Sequence, residues 1–405
     1  MNEYYCDDAF KDRMLEYTED SVYLVGFGKY LEQNHFQSFK SVRPPRLDWL
    51  LDHNLDGFTS VWQKGCYLIV LDLEYYNPFD YSEVFRDEKG VFGRMEGFCD
   101  AMEKILDGYG IEYLKLMTGQ GYHYASKIRE GTPAFELIKG CGICTETTHQ
   151  RNPDVPRDHN LMQDAVGKLM EFLYQKVFEI YEGHLRPKDI RLDSPMMVLD
   201  LDLWADPLFM RDVRLAFSSH QKHIMEKYIK RMGSDWCAKN VAIGYSIPCK
   251  GLTLAERIEI RRNREKVTEL AQICDMHIPD GSEGWLKMFH DYLPTPLKEF
   301  HDSFDAGEMF ETEPLEAGML PENFRQFLDD STKVRWTEIK AVCDNAYRLG
   351  RDPMEAARLF YDLFTLHEQW RLHWVEYDPE MRAKYWVRVF YGMNETLKGY
   401  VPMAD

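Results

Sequence analysis

The chain predicts an α/β (α+β) fold, with a first module built on a mixed sheet and a helical C-terminal region after it. Three observations carry that expectation. Residues 66–74 are dense in strand formers and follow Lys64-Gly65, so 58–76 reads as a hairpin. Phe92, Met95, Phe98, Met102 and Ile105 recur at helical spacing, and Gly108 and Gly110 stop that helix. From about residue 285 the pattern is helical apart from an acidic linker near 302–320, and Asp352 followed by Pro353 opens one of those helices. The expected division is 1–285 and 286–405.

The remaining elements follow in order. IEYLKLM reads as a strand, TGQG as a turn and YHYASKI as the returning strand. A loop rich in Gly and Cys spans 139–159, and Leu161 to Tyr181 has a helix period. SPMMVLDLDLW is a buried strand, and 241–248 a late one. Thr253 and Glu256 form a capping-box signature that opens a basic helix through about residue 272.

A length of 405 residues suits two domains. Hydrophobic residues at 44% and charged residues at 29% describe a folded chain. No apolar run is long enough to span a bilayer, and the first residues are acidic with no apolar signal core. Nine scattered cysteines, an odd number, argue for a reducing cytoplasm over a disulfide framework. The net charge of −19 excludes a surface that clings everywhere to nucleic acid, but leaves room for a local basic groove. Basic residues do gather, at 211–231 and again at 257–266.

LIVLDLEYY sets Asp72 and Glu74 two apart at the end of an apolar strand, so both side chains share a face. SPMMVLDLDLW repeats the pattern with Asp200 and Asp202. Strand-borne carboxylates from two strands are the oxygen donors that Mg2+ or Mn2+ needs, and two such ions serve in-line phosphoryl transfer. Strand ends also carry solvated acids, and that is the ordinary reading of either pair alone. These acids follow nearly unbroken apolar runs, where an uncompensated charge is costly.

Two glycines precede His123 in MTGQGYHYASKI, so the backbone can approach a phosphate and the imidazole can donate to it. The alternative is a glycine hairpin with an incidental His. After Asp202 come Arg214, Ser218, His220 and Lys222, spaced as an extended segment would present them. Four phosphate-friendly groups there suit a triphosphate, and a solvated basic strand is the plain alternative.

Taken together, these segments resemble the archaeo-eukaryotic primase superfamily. Its signature is an acidic pair on a strand, a small-x-His turn, and a third acid on another strand. The closing segment is the most specific. FSSHQK resembles the "SxHxK" ending of small primase subunits, with His220 following the third acid by 18 residues (220 − 202) and Lys222 by 20 (222 − 202). That spacing selects Asp202 over Asp200. Ser246-Ile247-Pro248, with Ile243 upstream, resembles the family's next strand after an insertion of roughly twenty residues.

The resemblance covers about residues 55–250 and implies a primase-type fold and a primase or primase-polymerase activity. It implies two Mg2+ or Mn2+ ions on Asp72, Glu74 and Asp202. It also implies a triphosphate held by His123, Arg214, His220 and Lys222, with Ser218 beside them. The implied partners are a single-stranded DNA template, nucleoside triphosphates, and a helicase or other replication protein. The turn departs from the family, with Gln120 where a cation is common. Rival readings are a two-metal nuclease and a primase fold kept only for nucleic-acid binding.

Cys141, Cys144, His149 and His159 are ligand types that suit a structural zinc ion, a feature small primase subunits often carry elsewhere. A loop with free thiols is the alternative. The basic stretch at 253–272 reads as a template-groove lining or as a solvated helix face.

Overall fold

The structure is a computed structural model and describes residues 7–34, 40–42, 47–77, 79–80, 82–151, 153–183, 185–187, 195–205, 212–225, 244–320, 322, 324–325, 336–367 and 378–397. Helix α1 (Asp8–Tyr17) precedes β1 (Leu24–Phe27), α2 (Lys29–Gln33), β2 (Lys40–Val42), α3 (Leu47–Asp52) and β3 (Asp56–Ser60). Strands β4 (Trp62–Gln63) and β5 (Cys66–Tyr76) form the expected hairpin, with Gly65 left-handed at φ 69. After α4 (Glu83–Arg86), the long α5 (Glu88–Tyr109) ends on left-handed Gly110. Next come β6 (Leu114–Met117), β7 (Gly121–Arg129), α6 (Pro133–Lys139), α7 (Glu146–Arg151), α8 (Arg157–Ile180), β8 (Leu185–Pro187) and β9 (Met196–Leu199). Short strands β10 (Asp212–Arg214), β11 (Ser219–His220), β12 (Gly244–Tyr245) and β13 (Ile247–Pro248) follow. The rest is helical: α9 (Leu254–Ile260), α10 (Arg264–Ile273), α11 (Ser282–Tyr292), α12 (Pro296–Asp305), α13 (Trp336–Arg348), α14 (Pro353–Leu366) and α15 (Pro379–Thr396).

Among the described residues, the main sheet has the order β13-β6-β7-β5-β9-β8, with β4 on the edge of β5. Its pairings are antiparallel except β8 with β9, which makes the sheet mixed as expected. A second sheet runs β10-β3-β1-β2, and β11 pairs with β12. One face of the main sheet lies on helices. Tyr122 packs edge-on to Phe92 and bonds Glu96 of α5, while the Trp285 indole of α11 donates to Ser126 at 3.1 Å. On the other face Lys127 reaches Asp20 at 2.7 Å, in the segment between α1 and β1.

Three elements differ from the sequence expectation. The strand expected at 194–204 stops at Leu199, because the Asp200 carboxylate accepts the Asp202 amide at 3.0 Å and turns Leu201–Trp204 into a 3-10 helix. The basic helix breaks at 261–263, where Asn263 caps α10 by accepting the Lys266 amide. Helix α11 runs across the expected boundary at 285 and belongs to the core beneath the sheet. Described cysteines are free thiols, and among the described residues no helix is long and apolar enough to cross a membrane.

A buried polar network ties the C-terminal helices to α8. Arg388 of α15 reaches Asp164 at 2.6 Å and Glu171 at 3.0 Å, and Lys168 meets Asp164 at 2.8 Å and Asp305 of α12 at 2.5 Å. His301 bonds Glu171 at 3.0 Å and Tyr292 at 2.6 Å. Burial alone would raise both α8 carboxyls. The cations win: Lys168 and Arg388 hold Asp164 well below the usual range, and Arg388 and His301 lower Glu171. Arg388→Met removes the partner that Asp164 and Glu171 share, leaving Asp164 to Lys168 and Glu171 to His301, and should cost about 3 kcal/mol in urea denaturation at neutral pH. Because the folded values are depressed, that contribution is complete above the unfolded values of about 4 and is lost as pH falls through the lowered ones. The gap between the native protein and Arg388→Met therefore narrows on acidification below about pH 4.

Candidate functional site

The register of the central strands assembles a polar row. Asp72 of β5 pairs with His123 of β7, and Glu74 pairs with Gly121. On the other side Leu73 pairs with Leu199, so Asp200 falls beside Asp72, and its amide donates to the Asp72 carbonyl at 2.9 Å. Side chains two apart on β5 share a face, and cross-strand partners share it too. Asp72, Glu74, His123 and Asp200 thus belong to the face opposite the helices. Along β5 only Asp72, Glu74 and Tyr76 escape burial. His123 Nε2 lies 3.3 Å from Asp72 Oδ1, and its buried Nδ1 meets no hydrogen-bond partner among the described residues.

The third acid is a correction. Asp202 was the expected ligand, but the 3-10 turn after Leu199 carries its side chain to α15. There it forms a buried ion pair with Arg382, Nη2 to Oδ1 at 2.7 Å, both side chains 2–3% exposed. Register sets Asp200, not Asp202, beside Asp72. The physical reason is the change of period: two residues along a strand return to the same face, whereas two along a 3-10 turn do not.

The basic segment is divided in the same way. It does not run extended, because Phe217 takes a left-handed φ of 57 and the chain bends between β10 and β11. The bend is held by the Phe217 amide bonding Ser246 and by its ring on Phe10. Arg214 turns inward, 3.0 Å from buried Asp56 and over the Phe58 ring, and it also donates to the Ser219 carbonyl. Asp56 accepts in addition from the Ser219 hydroxyl at 2.8 Å and the Gln221 amide at 2.9 Å. Ser218 is buried, accepting from the Gly57 amide at 2.7 Å. Arg214 and Ser218, both expected on the nucleotide, thus form the scaffold of the His220 segment. Asp56 escaped the sequence reading, since nothing local marks a strand-starting Asp as the partner of residues 158 or more positions away.

His220 comes to the glycine turn between β6 and β7. Its imidazole lies flat on the Thr118–Gly121 turn, so close that a Cβ on Gly119 would fall 1.9 Å from Cδ2. That turn is closed by the Thr118 amide on the Gly121 carbonyl at 2.8 Å. A Cβ on Gly121 would lie 1.7 Å from the Leu73 carbonyl oxygen. The two glycines are therefore required by close approach, one to an imidazole and the other to a strand. Lys222, half-buried, opens the 3-10 turn after β11.

Helix α4 packs against the His220 ring and the end of β5. Phe85 of α4 contacts the His220 ring at 5.8 Å. Glu83 accepts from the Tyr75 hydroxyl and from Asn77, each at 2.6 Å, and pairs with Arg94. Burial works to raise the Glu83 carboxyl, but those three donors pull it below its ordinary value. Burial and the Glu83 bond push the Tyr75 phenol up to about 12.

The ligating atoms of Cys141, Cys144 and His149 do not lie within 4.8 Å of one another, and neither do those of Asp72, Glu74 and Asp200. Among the described residues, the one trio of ligating groups within 4.8 Å of each other is exposed Asp275 and His277 with Glu16. His159 is buried elsewhere, 3.2 Å from the Cys66 carbonyl. The basic helix likewise serves the fold: Arg257 pairs with Glu96 and Arg262 with Glu88, both on α5. Comparison with family models and with curated proteins finds no match for the chain.

The carboxyls test the assignment directly. Asp202→Asn leaves Arg382 buried without its counter-charge and should lower stability by about 3–5 kcal/mol. Asp200→Asn keeps the capping oxygen and should stay within about 1 kcal/mol of native in the same denaturation experiment.

Proposed function

We propose that the chain is a template-dependent nucleotidyl transferase of the primase type, with Asp72, Glu74 and Asp200 as ligands for two Mg2+ or Mn2+ ions. The observation that carries this reading is the cross-strand row: Asp200 and His123 flank Asp72 in register, and Glu74 follows on the same face. The donors are of the kind that hard divalent cations take, and they are spread along the row rather than gathered within 4.8 Å of one another. They are all carboxylate oxygens, half-open to solvent at Asp72 and Glu74, and among the described residues no cationic side chain meets Glu74. The acids lie along a row, which suits a pair of ions about 3.5–4 Å apart.

When bound, such ions would stabilise the attacking and leaving oxygens of an in-line displacement at phosphorus. The chain's own groups do the rest. His123, with Nε2 3.3 Å from Asp72 Oδ1, orients that carboxylate from the neighbouring strand. His220 is placed by the glycine turn at the Glu74 end of the row, and Lys222 follows it. Asp56 fixes the segment that presents both, so the phosphate tail of an incoming nucleotide meets donors that are already oriented. The spacing of Ser218, His220 and Lys222 that resembles small primase subunits supports the same reading.

Unprimed single-stranded DNA incubated with Mn2+ and either ribo- or deoxyribonucleoside triphosphates tests the proposal. Native protein should synthesise or extend strands. Asp72→Ala and Asp200→Asn should each lower the rate on the order of 10² to 10³-fold without unfolding. Strand shortening in the absence of triphosphates would instead identify a nuclease. His220→Ala should raise the nucleotide KM about tenfold, the loss of one charge-assisted hydrogen bond.

A further inference from the structure

The turn after Asp200 is held from outside the sheet, by the C-terminal helix. Asp200 uses one carboxylate oxygen, Oδ1, to accept the Asp202 amide at 3.0 Å. The orientation of that carboxylate therefore follows the position of the turn. Two side chains of α15 fix it. Arg382 pairs with the Asp202 carboxylate at 2.7 Å, and the Tyr385 hydroxyl donates to the Leu201 carbonyl. From α8, Gln163 donates to the Leu203 carbonyl at 2.8 Å. Leu201, Leu203 and Trp204 are buried between these helices.

An ion pair this deeply buried is a poor source of stability, because taking both charges out of water consumes most of what their attraction returns. What it does provide is anchorage, since the charge contact at 2.7 Å and the Tyr385 hydroxyl on the Leu201 carbonyl tie the turn to α15. On the metal-site reading given above, we propose that Arg382 and Tyr385 are positioning residues that aim the Asp200 carboxylate at the metals. The helical region would then complete the site from behind.

Mn2+ binding followed by electron paramagnetic resonance, together with extension kinetics, tests this. The double variant Asp202→Leu/Arg382→Met removes the pair without stranding a charge, so it should melt at or above the native temperature. It should nevertheless bind Mn2+ about 10- to 100-fold more weakly, the usual effect of losing a group that orients a ligand. Its kcat should fall while the nucleotide KM stays within about twofold. Tyr385→Phe removes one hydroxyl and is the variant to use should the double change not fold; it should weaken Mn2+ about fivefold. Native Mn2+ affinity in the folded double variant, or in Tyr385→Phe if the double does not fold, overturns the proposal. Asp200→Asn separates the two readings. If it binds Mn2+ as the native protein does, the metal site itself is wrong. If it binds weakly while the other variants are native, only the positioning role falls.

Discussion

The pairing register of β5 with β7 and β9 is the constraint on which the rest depends. A slip of one residue would send Asp72, Glu74, His123 and Asp200 into the apolar face and bring Leu71 and Leu73 out to water. Several features prevent it. Tyr67, Leu71 and Leu73 are buried on the helix side, where Tyr67 also bonds Gln163 of α8. The Thr118–Gly121 turn leaves no slack between β6 and β7, and Gly121 fits against the Leu73 carbonyl only in this alignment.

Around that row, charge is sorted by partner. Arg214, Arg257, Arg262, Arg382 and Arg388 are all engaged with carboxylates, and so shape the protein without offering themselves to an anion. Of the two histidines, His123 meets the Asp72 carboxylate at 3.3 Å on the row itself, and the His220 ring lies against the glycine turn. This division reconciles a chain of net charge −19 with a site read as phosphate-binding: the local arrangement matters more than the total.

Much of this was legible in the sequence. The β4–β5 hairpin, the α5 helix with its glycine stop, the returning strand with His123 and the capping box at Thr253 all follow from local periodicity and turn chemistry. So did the shared face of Asp72 and Glu74. What failed involved partners distant along the chain. The alternation in LDLDLW continues the strand period, and only the cap formed by Asp200 ends it. Arg382 lies 180 residues beyond Asp202, and Asp56 precedes Arg214 by 158, so no local spacing could reveal that these groups neutralise one another. A spacing that resembles a family motif selected Asp202, whereas hydrogen-bond register sets its neighbour Asp200 beside Asp72.

The network joining Arg388, Asp164, Lys168, Glu171, His301 and Asp305 bears on how such a chain can be recombined. Its members sit on three helices, α8 from the middle of the sequence and α12 and α15 from its end. A graft that borrowed the final helices from an unrelated sequence would have to bring a matching α8 with it. Shuffling at the obvious linker would part charges from their counter-charges, so inheritance of the two regions is coupled by electrostatics rather than by any continuous stretch of chain.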